Sequence, residues 1–167
     1  MRHTILHAPV SPSAPNHMVL PVIIYHDIKE DPSELFKRND WHQIWMNGVF
    51  DYHHFHPNCH EVLGVKAGQA ELLIGGENGR TVTVHKGDVL LLPAGYGHKR
   101  LAMSEDFRIV GAYPTEDAVE TATFYDDLAA VNRTINRVKL PASDPVTGSN
   151  GPMFKEWHNI YYCNAEY

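Results

Sequence analysis

Four histidines fall within the eight residues from His53 to His60 in "GVFDYHHFHPNCHEVLGVKAG", Gly48 to Gly68, and a glutamate follows at once. In an extended strand alternate side chains share a face, so His54 and His56 offer two imidazoles to one ion. Pro57 and Asn58 turn the chain, and strand resumes at Glu61, whose carboxylate is a third candidate donor. Downstream, in "GDVLLLPAGYGH", an apolar strand and a tight turn through Pro93 lie between Gly87 and Gly95 and deliver His98. Three neutral imidazoles and one carboxylate suit a divalent transition metal. They leave it an overall charge near +1 and two positions of an octahedral shell open for water, substrate or oxygen.

Strand parity nominates further residues. With His98 inward, Arg100 and Ala102 follow it, while Lys99 and Leu101 face out. With His54 inward, so are Tyr52 and Phe50. Arg100 is a candidate clamp for a carboxylate or similar anion; the plain alternative is a guanidinium in solvent at the strand's end. Tyr52 is a candidate for positioning a substrate or giving a proton, against packing with its hydroxyl satisfied. Trp41, Trp45 and Tyr113 are pocket wall or core. His53 faces away from the metal. The turn after His56 breaks the parity count, so His60 stands as an alternative ligand to Glu61. Cys59, in that turn, reads as an inert thiol, and the other histidines have no partner at ligand spacing.

The elements that must hold these residues are short and β-rich. "HAPVSPSAPNH" reads as an extended, loosely held arm over residues 1–19, and "LPVIIYH" as a short apolar strand. In "DPSELFKRND", Asp31 or Ser33 caps a short helix that begins at Pro32. From Gly48 to Pro114 strands alternate with turn residues and no helix intervenes, the pattern of an all-β antiparallel sandwich or barrel spanning residues 20–114. Leu128, Val131, Ile135 and Val138 stand at helical spacing. They open a C-terminal extension, 115–167, that packs on the barrel, with Trp157 anchoring a turn-rich tail. The last ten residues, "HNIYYCNAEY", carry no pattern that assigns them a role.

The pattern Gly48-x5-His54-x-His56-x4-Glu61-x6-Gly68 resembles the first motif of the cupin superfamily, and Gly87-x5-Pro93-x-Gly95-x2-His98 is similar to the second. Ala102 stands where the fuller second motif has asparagine, a position that is not a ligand. "NGVFDYHH", "HEVLGV", "DVLLLPAGYGHK", "IVGAYP" and "DPVTGSNGP" resemble a branch of small bacterial cupins, the YjlB-like proteins. The resemblance implies a cupin-type antiparallel jelly-roll barrel with His54, His56, Glu61 and His98 as metal ligands. It implies no substrate.

With 167 residues, 43% apolar and 20% charged, the chain suits one domain with a real core. A net charge of −6 without a basic run argues against nucleic acid or an anionic membrane as partner. Two cysteines make no disulfide framework, so a cytoplasmic, reducing setting is expected. The leading expectation is a metal-dependent enzyme acting on a small organic molecule, anions included, by dioxygenase-type oxidoreductase chemistry. Fe(II) is favoured, and Mn, Ni, Co or Zn fit the same donors. Alternatives are a non-redox isomerase or decarboxylase using the ion as Lewis acid, and a stand-alone binding protein. A metal-free epimerase needs a base with a partner, against which Glu61 and His98 argue. Open sheet edges predict a homodimer, with "LPVIIYH" the strand nominated to pair across it.

Overall fold

The computed structural model describes residues 1–158. Among them nine strands and two α-helices follow in the order β1 (His3–Leu6), β2 (Val22–Tyr25), α1 (Pro32–Arg38), β3 (His42–Asn47), β4 (Glu61–Ala67), β5 (Gln69–Ile74), β6 (Arg80–His85), β7 (Val89–Leu92), β8 (His98–Met103), β9 (Arg108–Tyr113) and α2 (Leu128–Asn136). The strands form a six-stranded sheet, β1-β2-β7-β4-β9-β3, and a three-stranded one, β6-β5-β8. Every pairing is antiparallel. No described helix is long and apolar enough to cross a membrane.

The central strands of the large sheet are buried on both faces, which is why β2, β4 and β7 read as nearly continuous apolar runs. Between the sheets lie Leu63, Val65, Leu72, Ile74, Leu90, Leu92 and Ile109. On the outer face lie Val62, Leu91 and Val110, under Leu35 and Phe36 of α1 and the C-terminal Met153 and Trp157. Asp31 caps α1 by accepting from Glu34 N–H, and Pro32 occupies its first turn, as the local sequence predicts.

Three departures from the sequence reading have physical causes. The Pro- and Ser-rich arm is tied down rather than loose: its first residues form β1, and Ser11 Oγ and Asn16 Nδ2 both donate to the Gly75 carbonyl, at 2.6 and 2.9 Å. β2 therefore lies inside its sheet, between β1 and β7, and its ladder is already satisfied on both sides. Among the described residues the edges of the large sheet are β1 and β3, so pairing with a second subunit through "LPVIIYH" is blocked. Third, "FDYHHFH" is not a regular strand. Asp51 and Tyr52 bend, and only His54 and Phe55 make isolated bridges, to His98 and Ala122.

The C-terminal extension packs by a few strong contacts. Ile135 of α2 sits over Gly95, where a β-carbon would collide with it, and Gly95 also needs a positive φ of 89°. The Trp157 indole N–H donates to the Pro21 carbonyl at 2.9 Å. On β9, Gly111 leaves room for the Trp45 indole, which lies where a β-carbon would stand. A Gly111→Ala substitution is expected to push that indole off the sheet and cost about 1–3 kcal/mol of stability. Urea unfolding followed by tryptophan fluorescence would show this as a lower midpoint at unchanged m-value.

Candidate metal centre

Parity in β4 decides between the two adjacent candidates. Glu61 pairs with Leu92 and shares the inner face with Leu63 and Val65, whereas His60 shares the outer face with Val62. Glu61 is accordingly 2% exposed beneath the histidines. His60 is buried in the other core, its ring 5.0 Å from that of Trp157, its Nδ1 accepting from Ala94 N–H at 2.9 Å. It is no ligand. The His54 and His98 backbones exchange both hydrogen bonds, at 3.3 and 3.0 Å, which seats their rings 4.0 Å apart.

His54, His56 and His98 are buried, and one ring nitrogen from each lies within 4.8 Å of the others. Their opposite nitrogens face backbone carbonyls: His54 Nδ1 to Tyr52 O at 3.1 Å, His56 Nδ1 to Glu120 O at 2.9 Å, and His98 Nδ1 to Tyr96 O at 3.1 Å. A carbonyl only accepts, so each Nδ1 carries the proton and each Nε2 turns a lone pair to the centre. Glu61 Oε2 and Oε1 stand 3.3 Å from His56 Nε2 and 3.2 Å from His98 Nε2. Lone pairs facing one another in a buried site are repulsive unless a cation lies between them. The donors present thus fit a divalent transition metal, and the outer-sphere carbonyls are the orienting partners such ligands need.

Without an ion, a proton is the available cation. Burial lowers the His56 imidazole, but the Glu61 carboxylate beside it prevails and holds it above its ordinary value. Burial raises the Glu61 carboxyl, yet His56 and His98 outweigh that and keep it well below the ordinary carboxylate range. Burial, with the field of His98, pushes His54 down to about 3, so that ring stays neutral.

Above the donors opens a cavity of about 350 Å³, walled by Trp45, Met46, Val49, Phe50 and Leu63. Tyr113 and Thr121 add hydroxyls. The Tyr113 hydroxyl accepts from Trp45 Nε1–H at 3.1 Å and donates to the Glu61 carboxylate; burial, then Glu61, holds the phenol well above its ordinary range. Of the residues nominated as walls, Trp45 and Tyr113 line the cavity, while Trp41 lies in the outer core.

The two nominated catalytic residues stand elsewhere. Tyr52 is 46% exposed because the chain bends there; its ring stacks on Phe50 at the rim, and it serves the centre through its carbonyl. Arg100 keeps the face of His98, opposite Leu72, but is not among the residues that line the cavity; its Nη1 lies 3.1 Å from Met103 Sδ and its Nη2 3.8 Å from Asp51 Oδ2. Cys59 is buried, donates to His60 O, and burial raises its thiol to about 12, so it stays protonated. His53 points outward to Glu77. Sequence reasoning missed Glu120 and Thr121, which return to the site on a loop clamped by both ends of the Asn58 amide, to Ala118 O and Glu120 N. No spacing rule connects residues so far apart in the chain.

The Cupin domain family matches residues 41–110. The "Uncharacterized protein YjlB" of Bacillus subtilis is 36% identical over 148 residues, 86% of this chain and 89% of that protein. Among solved structures, B. subtilis oxalate decarboxylase, with Mn(II) centres, is 21% identical at a TM-score of 0.40. That likeness takes in 70% of this chain, which spans only 29% of the decarboxylase chain. A DUF861 family protein from Thermotoga maritima is 24% identical at a TM-score of 0.37, over 54% of this chain and 96% of that one. An antiparallel jelly roll whose inner face gathers three histidines defines a metal-binding cupin. The chain belongs to the cupin superfamily, in the YjlB-like branch.

His56→Ala is expected to lower metal affinity by more than the roughly 10–100-fold that loss of an outer-sphere partner costs, while the barrel stays folded. Metal analysis after dialysis and far-UV circular dichroism check the two halves. Since His56 is raised in the metal-free state, its proton stabilises that state at low pH and is lost as pH rises through the raised value. The gain in Tm on adding an ion should therefore grow with pH across that value. In Glu61→Gln the growth should move to lower pH, because the carboxylate that raises His56 is gone.

Proposed function

We propose that the protein is a metal-dependent oxidoreductase that oxidises a small organic molecule with dioxygen, its ion held by His54, His56, Glu61 and His98. One observation carries this reading: among the described residues lining the cavity, the titratable side chains are the four donors and Tyr113. The donors are committed, and the phenol of Tyr113 is held protonated and bonded to Glu61. Isomerisation at a Lewis-acid centre needs a free base within hydrogen-bond reach of the substrate, and the cavity lining offers none. Chemistry that draws its electrons from the metal has no such need. Fe(II) in this donor set would supply those electrons to oxygen beside a coordinated substrate.

The chain's own part is orientation and exclusion of water. Val49 and Leu63 give apolar wall, Trp45 and Phe50 give flat faces, and Tyr113 sets a protonated hydroxyl beside Glu61. Protein loaded anaerobically with Fe(II) is expected to consume oxygen with at least one member of a panel of small phenols, diols, thiols and acids, and to lose this on His98→Ala. Turnover with Zn(II) or Mn(II) but no oxygen uptake would favour the isomerase or decarboxylase alternative. Tight binding with no turnover under any ion would favour a binding protein.

A further inference from the structure

The charges around the cavity specify what it can hold. Each imidazole turns its Nδ1–H to a carbonyl and so offers an ion a neutral Nε2 donor, and Glu61 offers a carboxylate. A divalent ion therefore leaves a net +1 at the floor. Among the described residues no lysine or arginine lines the cavity. The guanidinium nearest in sequence to the ligands, Arg100, is outside the lining and is engaged by Asp51 and Met103. Arg108 spends its Nη1 on the Phe107 carbonyl. Residues 159–167, "NIYYCNAEY", contain no lysine or arginine either. One negative charge on the ligand brings the floor to neutrality; a second would stand unpaired against apolar wall, the costly case.

From this balance, and resting on the metal-dependent reading above, we propose that the substrate is an uncharged, flat molecule with one weakly acidic phenol- or enol-type hydroxyl, bound as its monoanion. On binding, the O–H bond breaks, the oxygen keeps the electron pair, and the proton leaves to solvent. The Trp45 indole and the Phe50 ring supply faces for a planar ligand, and the cavity is at the small end of ligand pockets, sized for about one ring. Dicarboxylates are excluded by the missing second cation. The chain's net charge of −6 repels them further.

The test uses the full chain loaded with redox-silent Zn(II), so that binding is read apart from turnover. Catechol and phthalate, two single-ring ligands that differ in charge, are titrated by calorimetry in two buffers of different ionisation enthalpy, with tryptophan fluorescence in parallel. Catechol is expected to bind roughly tenfold or more tightly than phthalate. It should release about one proton, so its affinity rises about tenfold per pH unit across neutrality. Asn47→Lys, which adds a cation at an exposed position on the cavity wall, on the face of Ile109, should raise phthalate affinity roughly tenfold and leave catechol within a fewfold. Trp45→Phe should remove the optical signal and keep the proton release. Phthalate binding as tightly as catechol to the unmodified protein, or catechol binding without proton release, overturns the proposal. Failure to retain Zn(II) overturns the metal-dependent reading and this inference with it. The expected selectivity without oxygen uptake under Fe(II) overturns the oxygenase reading alone.

Discussion

Three backbone carbonyls, of Tyr52, Tyr96 and Glu120, each take the Nδ1 proton of a buried histidine, and the centre depends on those three contacts. They choose the tautomer, and the tautomer aims the lone pair. With Glu61 beneath, the result is a patch of converging acceptors that has no stable state without a cation. A protein interior tolerates such a patch only when something positive completes it, a proton on His56 or an ion bound by all four groups. The electrostatic demand is built before any ligand arrives.

The jelly roll supplies the rigidity this requires. β4 lies at the middle of its sheet and is itself buried on both faces from Glu61 to Val65, so Glu61 cannot shift without moving two cores. On the far side, His60 and Trp157 pack as neighbours, and Trp157 is bonded to the carbonyl before β2. The C-terminal extension thus backs the ligand strand from outside, while the 118–122 loop reaches the site itself. Barrel and extension form one unit: Thr121 lines the cavity and Glu120 orients a ligand.

The walls matter as much as the floor. Apolar surroundings strengthen every charge interaction at the donors and make each unmatched charge expensive. Tyr113 is the link between wall and floor, since it accepts from the Trp45 indole and donates to Glu61. A ligand lying against Trp45 is therefore one hydrogen bond removed from the carboxylate that sets the charge of the centre.

Much of this was legible in the residues themselves. Donor types and their spacing, the period-two alternation in β4 and β8, the Asp31 cap and the helical spacing from Leu128 are local properties, set by bond geometry over a few residues. Glu61 rather than His60 was half legible: its face could be named from Leu63 and Val65, but the turn at Pro57 and Asn58 hid how that face related to His56. Tyr52 was misjudged because parity assumes a regular strand and the chain bends at Asp51–Tyr52; Arg100 keeps the face of His98, opposite Leu72, and only the path of its long side chain to Met103 and Asp51 was beyond a parity count. The seating of β1 against β2, the place of Glu120 behind His56 and the lack of any cation in the cavity depend on contacts between segments far apart in the chain. Those contacts are chosen by how the whole core packs, so only the tertiary structure could decide them.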